Sequence, residues 1–146
     1  MKIALMGGIR NIKKIIGLFQ AEVEIVFFID NNARLAEERQ DGKKIYTPYR
    51  FPRGIADYIV IFIYDYMSVK QELNDLGVEE SRILCFHEPT LDLSEYENLF
   101  QVKKAEAFRL EVKVDDLCRK MEALEERRRS FERNCFYEAA DLLQKQ

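Results

Sequence analysis

Strand-length apolar runs that alternate with helical or turn patterns constrain this chain more than any other feature. "KIALM" (2–6), "VEIVFFID" (23–30), "DYIVIFIY" (57–64) and "RILCFHE" (82–88) are such runs, and "KKIYTP" (43–48) is a shorter candidate. They are rich in Ile, Val and Phe without strict alternation, the pattern of strands covered on both faces in a parallel sheet. Between them, Ile9, Ile12, Ile15, Ile16 and Phe19 are spaced for one face of an amphipathic helix, with Lys13 and Lys14 beside it. "SVKQELNDLG" carries a capping box at Ser68 and Gln71, an apolar face at Val69, Leu73 and Leu76, and Gly77 as a stop. "NNARLAEERQDG" (31–42) reads as a short helix or a loop. Strands alternating with helices predict an α/β fold over 1–90: a doubly wound parallel sheet, Rossmann-like, with strand order 3-2-1-4-5.

The character changes after Pro89. Ser94 and Glu97 are placed to cap a helix starting near Glu95, and no proline or glycine occurs from Asp116 to the end. Counting in sevens gives Leu110, Val114, Leu117, Met121, Leu124, Arg128, Phe131, Cys135, Glu138 and Leu142 at a/d spacing, eight of the ten apolar. Residues 91–146 are therefore expected to form a long helical arm with coiled-coil character. "FRLEVKV" (108–114) alternates strictly and is open to either strand or helix. A helix this amphipathic must cover its stripe, and pairing with a second copy, giving a homo-oligomer, is the preferred arrangement. Residues 103–146 hold 11 Lys/Arg against 10 Asp/Glu, and the whole chain carries −3, so neither a nucleic acid nor an anionic membrane is an expected partner. "ERRRS" (126–130) is flanked by Glu122, Glu125 and Glu132 and reads as a solvated helix face. No membrane-spanning run is found, and three cysteines without CxxC or Cys/His spacing fit a reduced, cytoplasmic protein.

The loop "MGGIRNIKK" (6–14) opens as dinucleotide-binding loops do. In such loops the first glycine makes the tight turn, the second admits the pyrophosphate and the third lets helix and strand pack closely. Gly7 suits the first role, but Ile9 and Ile12 stand in the other two. A tightly held NAD or FAD is not expected. The helix start remains a place for a phosphate, held by Gly7, Gly8, Arg10 and Asn11; the alternative is an arginine facing solvent. Asp30 ends the second strand 23 residues after Gly7, close to the spacing at which a carboxylate meets a ribose hydroxyl, and Asn31 follows it. Asp and Asn are also ordinary turn residues. Parallel strands deliver their C-terminal ends to one rim, so Gly7, Asp30, Tyr64 with Asp65, and His87 are expected together there. Tyr64 is a candidate to cover a base or sugar ring. His87, the single histidine, has no nucleophile partner of recognisable motif, and no catalytic residue is assigned.

"IALMGG", "VFFIDNN", "GKKIYTP", "ADYIVIFIYDY" and "LNDLGVEESRILCF" together resemble a Rossmann-like domain of bacterial sugar-modifying proteins. It is the N-terminal domain of sialic-acid and bacillosamine-type acyltransferases, also described as nucleoside-diphosphate-sugar epimerase-like. The resemblance covers residue 2 to about residue 88. It implies a place near cell-surface polysaccharide or glycoconjugate synthesis, recognition of a sugar nucleotide, and a catalytic partner supplied by another chain or segment. The family's glycine loop falls on Gly7 and Gly8 and its acidic strand end on Asp30, while the chain departs from it at Ile9, Ile12 and Tyr64. The resulting expectation is a non-catalytic sugar-nucleotide-recognition and assembly module; the alternative is an NAD(P)-dependent epimerase or oxidoreductase.

Overall fold

The structure, a computed structural model, describes residues 1–35 and 38–145. Two compact units make up the chain, Met1–Glu106 and Ala107–Gln146. The first is a mixed α/β unit around a six-stranded sheet. Its strands are β1 (Lys2–Met6), β2 (Glu24–Ile29), β3 (Arg39–Gln40), β4 (Lys43–Tyr46), β5 (Tyr58–Ile61) and β6 (Ile83–Cys85), in spatial order β3-β4-β2-β1-β5-β6. All pairings are parallel except β3 with β4. The sheet thus has six strands rather than the five expected. The added edge strand is tied to β4 by the turn at Asp41 (φ 52°) and Gly42 (φ 75°), the two positive φ values of a tight hairpin. Otherwise the described part of the expected helix or loop over 31–42 holds a 3₁₀ turn at Ala33–Leu35; residues 36 and 37 lie outside the described residues.

Alternation along the strands builds two apolar layers. Ala4, Met6, Phe27, Ile29, Ile59, Ile61, Ile83 and Cys85 form one buried cluster with Phe51 and with Val69 and Leu73 of helix α2 (Tyr66–Asp75). Ile3, Leu5, Phe28, Val60 and Leu84 lie on the opposite face. Past the strand ends, Phe62 and Phe86 join Phe19 and Phe100 in an aromatic cluster with ring centroids 4.7–6.1 Å apart. Helix α2 begins at Tyr66, not at Ser68: Tyr66 packs on the core cluster, and the helix starts two residues ahead of the capping-box signal. It ends in a Schellman arrangement, with Val78 N–H donating to Leu73 O (3.0 Å), Gly77 N–H donating to Asn74 O (3.0 Å), and Gly77 at φ 90°.

The amphipathic segment after the glycines is shorter than its spacing predicts. A 3₁₀ turn (Ile9–Asn11) leads into a five-residue helix α1 (Ile12–Ile16), and Phe19 leaves the helix to bridge Phe100. Residues 17–20 and 97–101 hold each other through backbone and glutamine side chains. Gln20 Nε2 donates to Glu97 O and Phe100 O, and Gln101 Nε2 donates to Gly17 O and Phe19 O, all within 2.9–3.2 Å. For this reason the first unit runs to Glu106 rather than ending at 90: Leu93, Leu99, Phe100 and Ala105 are all at most 2% exposed and complete the core. The expected cap at Ser94 is instead Asp92, whose Oδ1 accepts from Ser94 N–H (3.0 Å), and the segment it opens is a 3₁₀ turn, Leu93–Tyr96.

The second unit is made by helix α3 (Val102–Gln144) from Ala107 onward, so 108–114 is helical; residue 146 lies outside the described residues. Leu110, Leu117, Met121, Leu124, Phe131 and Leu142 are each more than half exposed along it. Pairs such as Lys120–Asp116 (2.9 Å) and Arg128–Glu125 (2.8 Å) lace its surface.

Candidate functional site

The C-terminal ends of β2, β1, β5 and β6 meet side by side. Gly7 N–H donates to Ile29 O (3.2 Å), Phe62 N–H to Met6 O (2.9 Å), and Phe86 N–H to Ile61 O (3.0 Å). From β1 the chain moves first to one side and then to the other, so the crevice above β1 and β5 is a topological switch point, where open α/β sheets take their ligands.

Gly7 and Gly8 turn the chain there with φ 78° and 72°, a region that favours glycine. Their missing side chains make room for protein atoms. A Cβ on Gly7 would lie 2.5 Å from Ile63 Cγ1; one on Gly8 would lie 2.4 Å from Ile15 Cδ1 and 3.2 Å from Phe62 Cβ. Arg10 and Asn11 are exposed in the turn that follows, and no side chain caps either helical segment. With α1 only five residues long, little aligned dipole stands behind those amides.

Asp30 forms a local turn: its Oδ1 accepts from Asn32 N–H at 2.7 Å, while its own N–H donates to Tyr46 O at 2.9 Å. Asn31 is exposed beside it. Across the rim, Tyr64 is 47% exposed and its ring centre lies 5.6 Å from that of His87. His87 is buried and sits edge-on to Phe86 at 5.2 Å. Asp65 is the exposed N-cap residue of α2 without a side-chain capping bond. The rim therefore brings Asp30 beside Gly7 and Tyr64 beside His87, with Asp65 opening the next helix. Among the described residues no three His, Cys, Asp or Glu side chains gather as metal ligands do.

A shallow polar groove of about 270 Å³ adjoins the rim at Tyr66, Lys70, Glu80 and Glu88. Lys70 Nζ lies 2.9 Å from Glu80, and this hydrogen bond raises the lysine pKa and lowers that of the carboxyl. Beneath it, burial pushes the Cys85 thiol up from 9.0 to about 11, which keeps it protonated and unreactive. A further recess of about 360 Å³ lies away from the rim, between the end of α2 and the 51–56 segment. Sequence reasoning missed it; the Pro-Arg-Gly turn after Phe51 was the available signal.

The sheet and its rim define the first unit as a mixed α/β domain with a mostly parallel sheet. The C2185-like, N-terminal family model matches residues 1–84, more than half of the chain, and the chain belongs to this family. No curated protein matches it. Among the described residues no helix is long and apolar enough to cross a membrane.

Proposed function

We propose that this chain is a non-catalytic assembly module, linked to surface polysaccharide or glycoconjugate synthesis, whose Rossmann-like head recognises a sugar nucleotide and whose C-terminal helix pairs with a second copy. What carries this reading is the row of large apolar side chains left open on α3, from Leu110 (62% exposed) through Leu124 (61%) to Leu142 (64%). Their heptad spacing and nearly balanced flanking charges suit a self-complementary seam better than an acidic or basic partner. Arg128 occupies one core position, held within its own helix by Glu125 at 2.8 Å. At the head, this reading gives Asp30 to a ribose hydroxyl, Arg10 to a phosphate and Tyr64 to a ring. The Gly7–Gly8 turn is filled by Ile63, Ile15 and Phe62, which favours a loosely held ligand over a seated dinucleotide.

Light scattering on the full chain tests the helix. Replacing Leu117 and Leu124 together by Glu should convert an oligomer to monomer, because each buried Leu lost from a seam removes roughly 2–5 kcal/mol. A wild-type monomer at high concentration would end the assembly reading. A thermal-shift panel of sugar nucleotides, NAD and NADP tests the head. A selective sugar-nucleotide response lost in Asp30→Ala supports it; a dominant NAD response or silence would overturn it.

A further inference from the structure

The recess beside α2 follows from how the chain returns from β4 to β5. Residues 47–57 make turns and bends but no helix, and α2 stops at Asp75. The sheet face between them is incompletely roofed. Phe27 and Ile59, in register with the fully buried Ala4 from either side, line the floor. Phe51 stacks on Phe27 (6.0 Å, 30° between planes), and Val78 closes the α2 side. The volume, about 360 Å³, falls in the small-molecule range.

Two cations stand at this apolar slot. The Arg53 guanidinium lies 4.3 Å over the Phe51 ring, and Arg82 stands immediately before β6. Among the described residues neither side chain is in an ion pair. Among the described residues Glu79 is the single carboxylate in the lining, against Arg53 and Arg82, on a chain of net charge −3. Two guanidinium forks beside an apolar, aromatic-lined floor match a carboxylate carried on a flat ring.

We infer that this recess is a binding site for a small aromatic carboxylate, its ring against Phe27, Ile59 and Val78 and its anionic group between Arg53 and Arg82. It is independent of the rim and of the helix seam. A ligand there touches the end of α2, the β4–β5 segment and the start of β6 at once.

The test is an amide chemical-shift titration of the full chain with naphthoate and with its neutral twin, naphthamide. Naphthoate should move amides of 51–56 and 76–79 and bind roughly fivefold tighter than naphthamide, the charge-assisted contribution of exposed guanidinium groups. The Arg53→Ala/Arg82→Ala variant keeps its fold, since both side chains are exposed. It should bind the two compounds equally, while the double lysine variant keeps part of the preference. Equal binding by the native chain, shifts centred elsewhere, or no shift at millimolar ligand would overturn the site. So would concentration-dependent broadening of the same amides without ligand, which would show a second copy covering the recess.

Discussion

Replacing Gly7 by alanine separates a glycine kept for a ligand from one kept for packing. Two costs are expected. Alanine at φ 78° is strained by about 1 kcal/mol. The new methyl would lie 2.5 Å from Ile63 Cγ1 and 3.2 Å from its Cδ1, so the isoleucine must swing by about an ångström against the core cluster it packs on. Overpacking of this kind adds roughly 1–3 kcal/mol, for a total near 2–4 kcal/mol. Gly42 provides the control: its φ is 75°, but a Cβ there meets nothing within 4 Å, so Gly42→Ala should cost only about 1 kcal/mol. Urea denaturation followed by tyrosine fluorescence measures both, with the slope m checked for constancy. In an Ile63→Ala background the cost of Gly7→Ala should fall to that of the control, a coupling of roughly 1–3 kcal/mol. If Gly7→Ala costs no more than Gly42→Ala, or Ile63→Ala gives no relief, the packing explanation of the glycine turn is wrong.

Gln101→Leu removes the donor shared by Gly17 O and Phe19 O and should lower stability by roughly 1–2 kcal/mol, read as an earlier urea midpoint. Phe100→Ala, at a fully buried position, should cost about 3–5 kcal/mol, and a cost under 1 kcal/mol would remove residues 91–106 from the core. At pH 8 a thiol reagent should modify exposed Cys118 quickly and Cys85 only on unfolding. Because the folded state raises the Cys85 pKa, the protonated thiol's contribution is fully present below pH 9.0 and is lost as pH rises towards about 11. A Cys85→Ala variant should show a correspondingly flatter alkaline stability profile.

The elements that local pattern locates are those with the longest buried apolar runs. β1, β2, β5 and β6 stand at the Ile-, Val- and Phe-rich runs because a strand covered on both faces carries polar residues only at its ends, as at Lys2 and Glu24. The helical character of the last third is legible for the same kind of reason, a long stretch without glycine or proline. What stays hidden depends on contacts distant in sequence. α1 is cut short because residues 17–20 pair with 97–101, and nothing near Phe19 announces Phe100 as its partner. The boundary at Glu106 is equally non-local, since Leu99 and Leu110 read alike in sequence, yet one is 0% and the other 62% exposed. The edge strand β3 was accessible through its Asp-Gly turn, outweighed by the charged residues around it. At the rim, strand ends identify Tyr64 and His87 as neighbours and bring Asp30 beside Gly7. The hydrogen-bonded turn at Asp30 and the burial of His87 are properties of side-chain placement that spacing does not carry.

The two glycines after β1 show how a shared loop pattern can answer a different need. In a dinucleotide loop the backbone must come close to a pyrophosphate, so the open side of the turn stays clear. In this chain the clearance is taken up by Ile63 at Gly7 and by Ile15 and Phe62 at Gly8. Ile12, at the third glycine position, is itself buried and packs as a core side chain. Each replacement exchanges room for a diphosphate against apolar area removed from water, about 25 cal/mol for every square ångström. A ligand using this rim would then have to be held from the sides, by Arg10, Asp30 and Tyr64, rather than from below by the turn. Losing one of those side chains would cost a large share of such binding, whereas a ligand seated on backbone amides would lose little. Affinity measured across Arg10→Ala, Asp30→Ala and Tyr64→Ala therefore distinguishes the two modes directly.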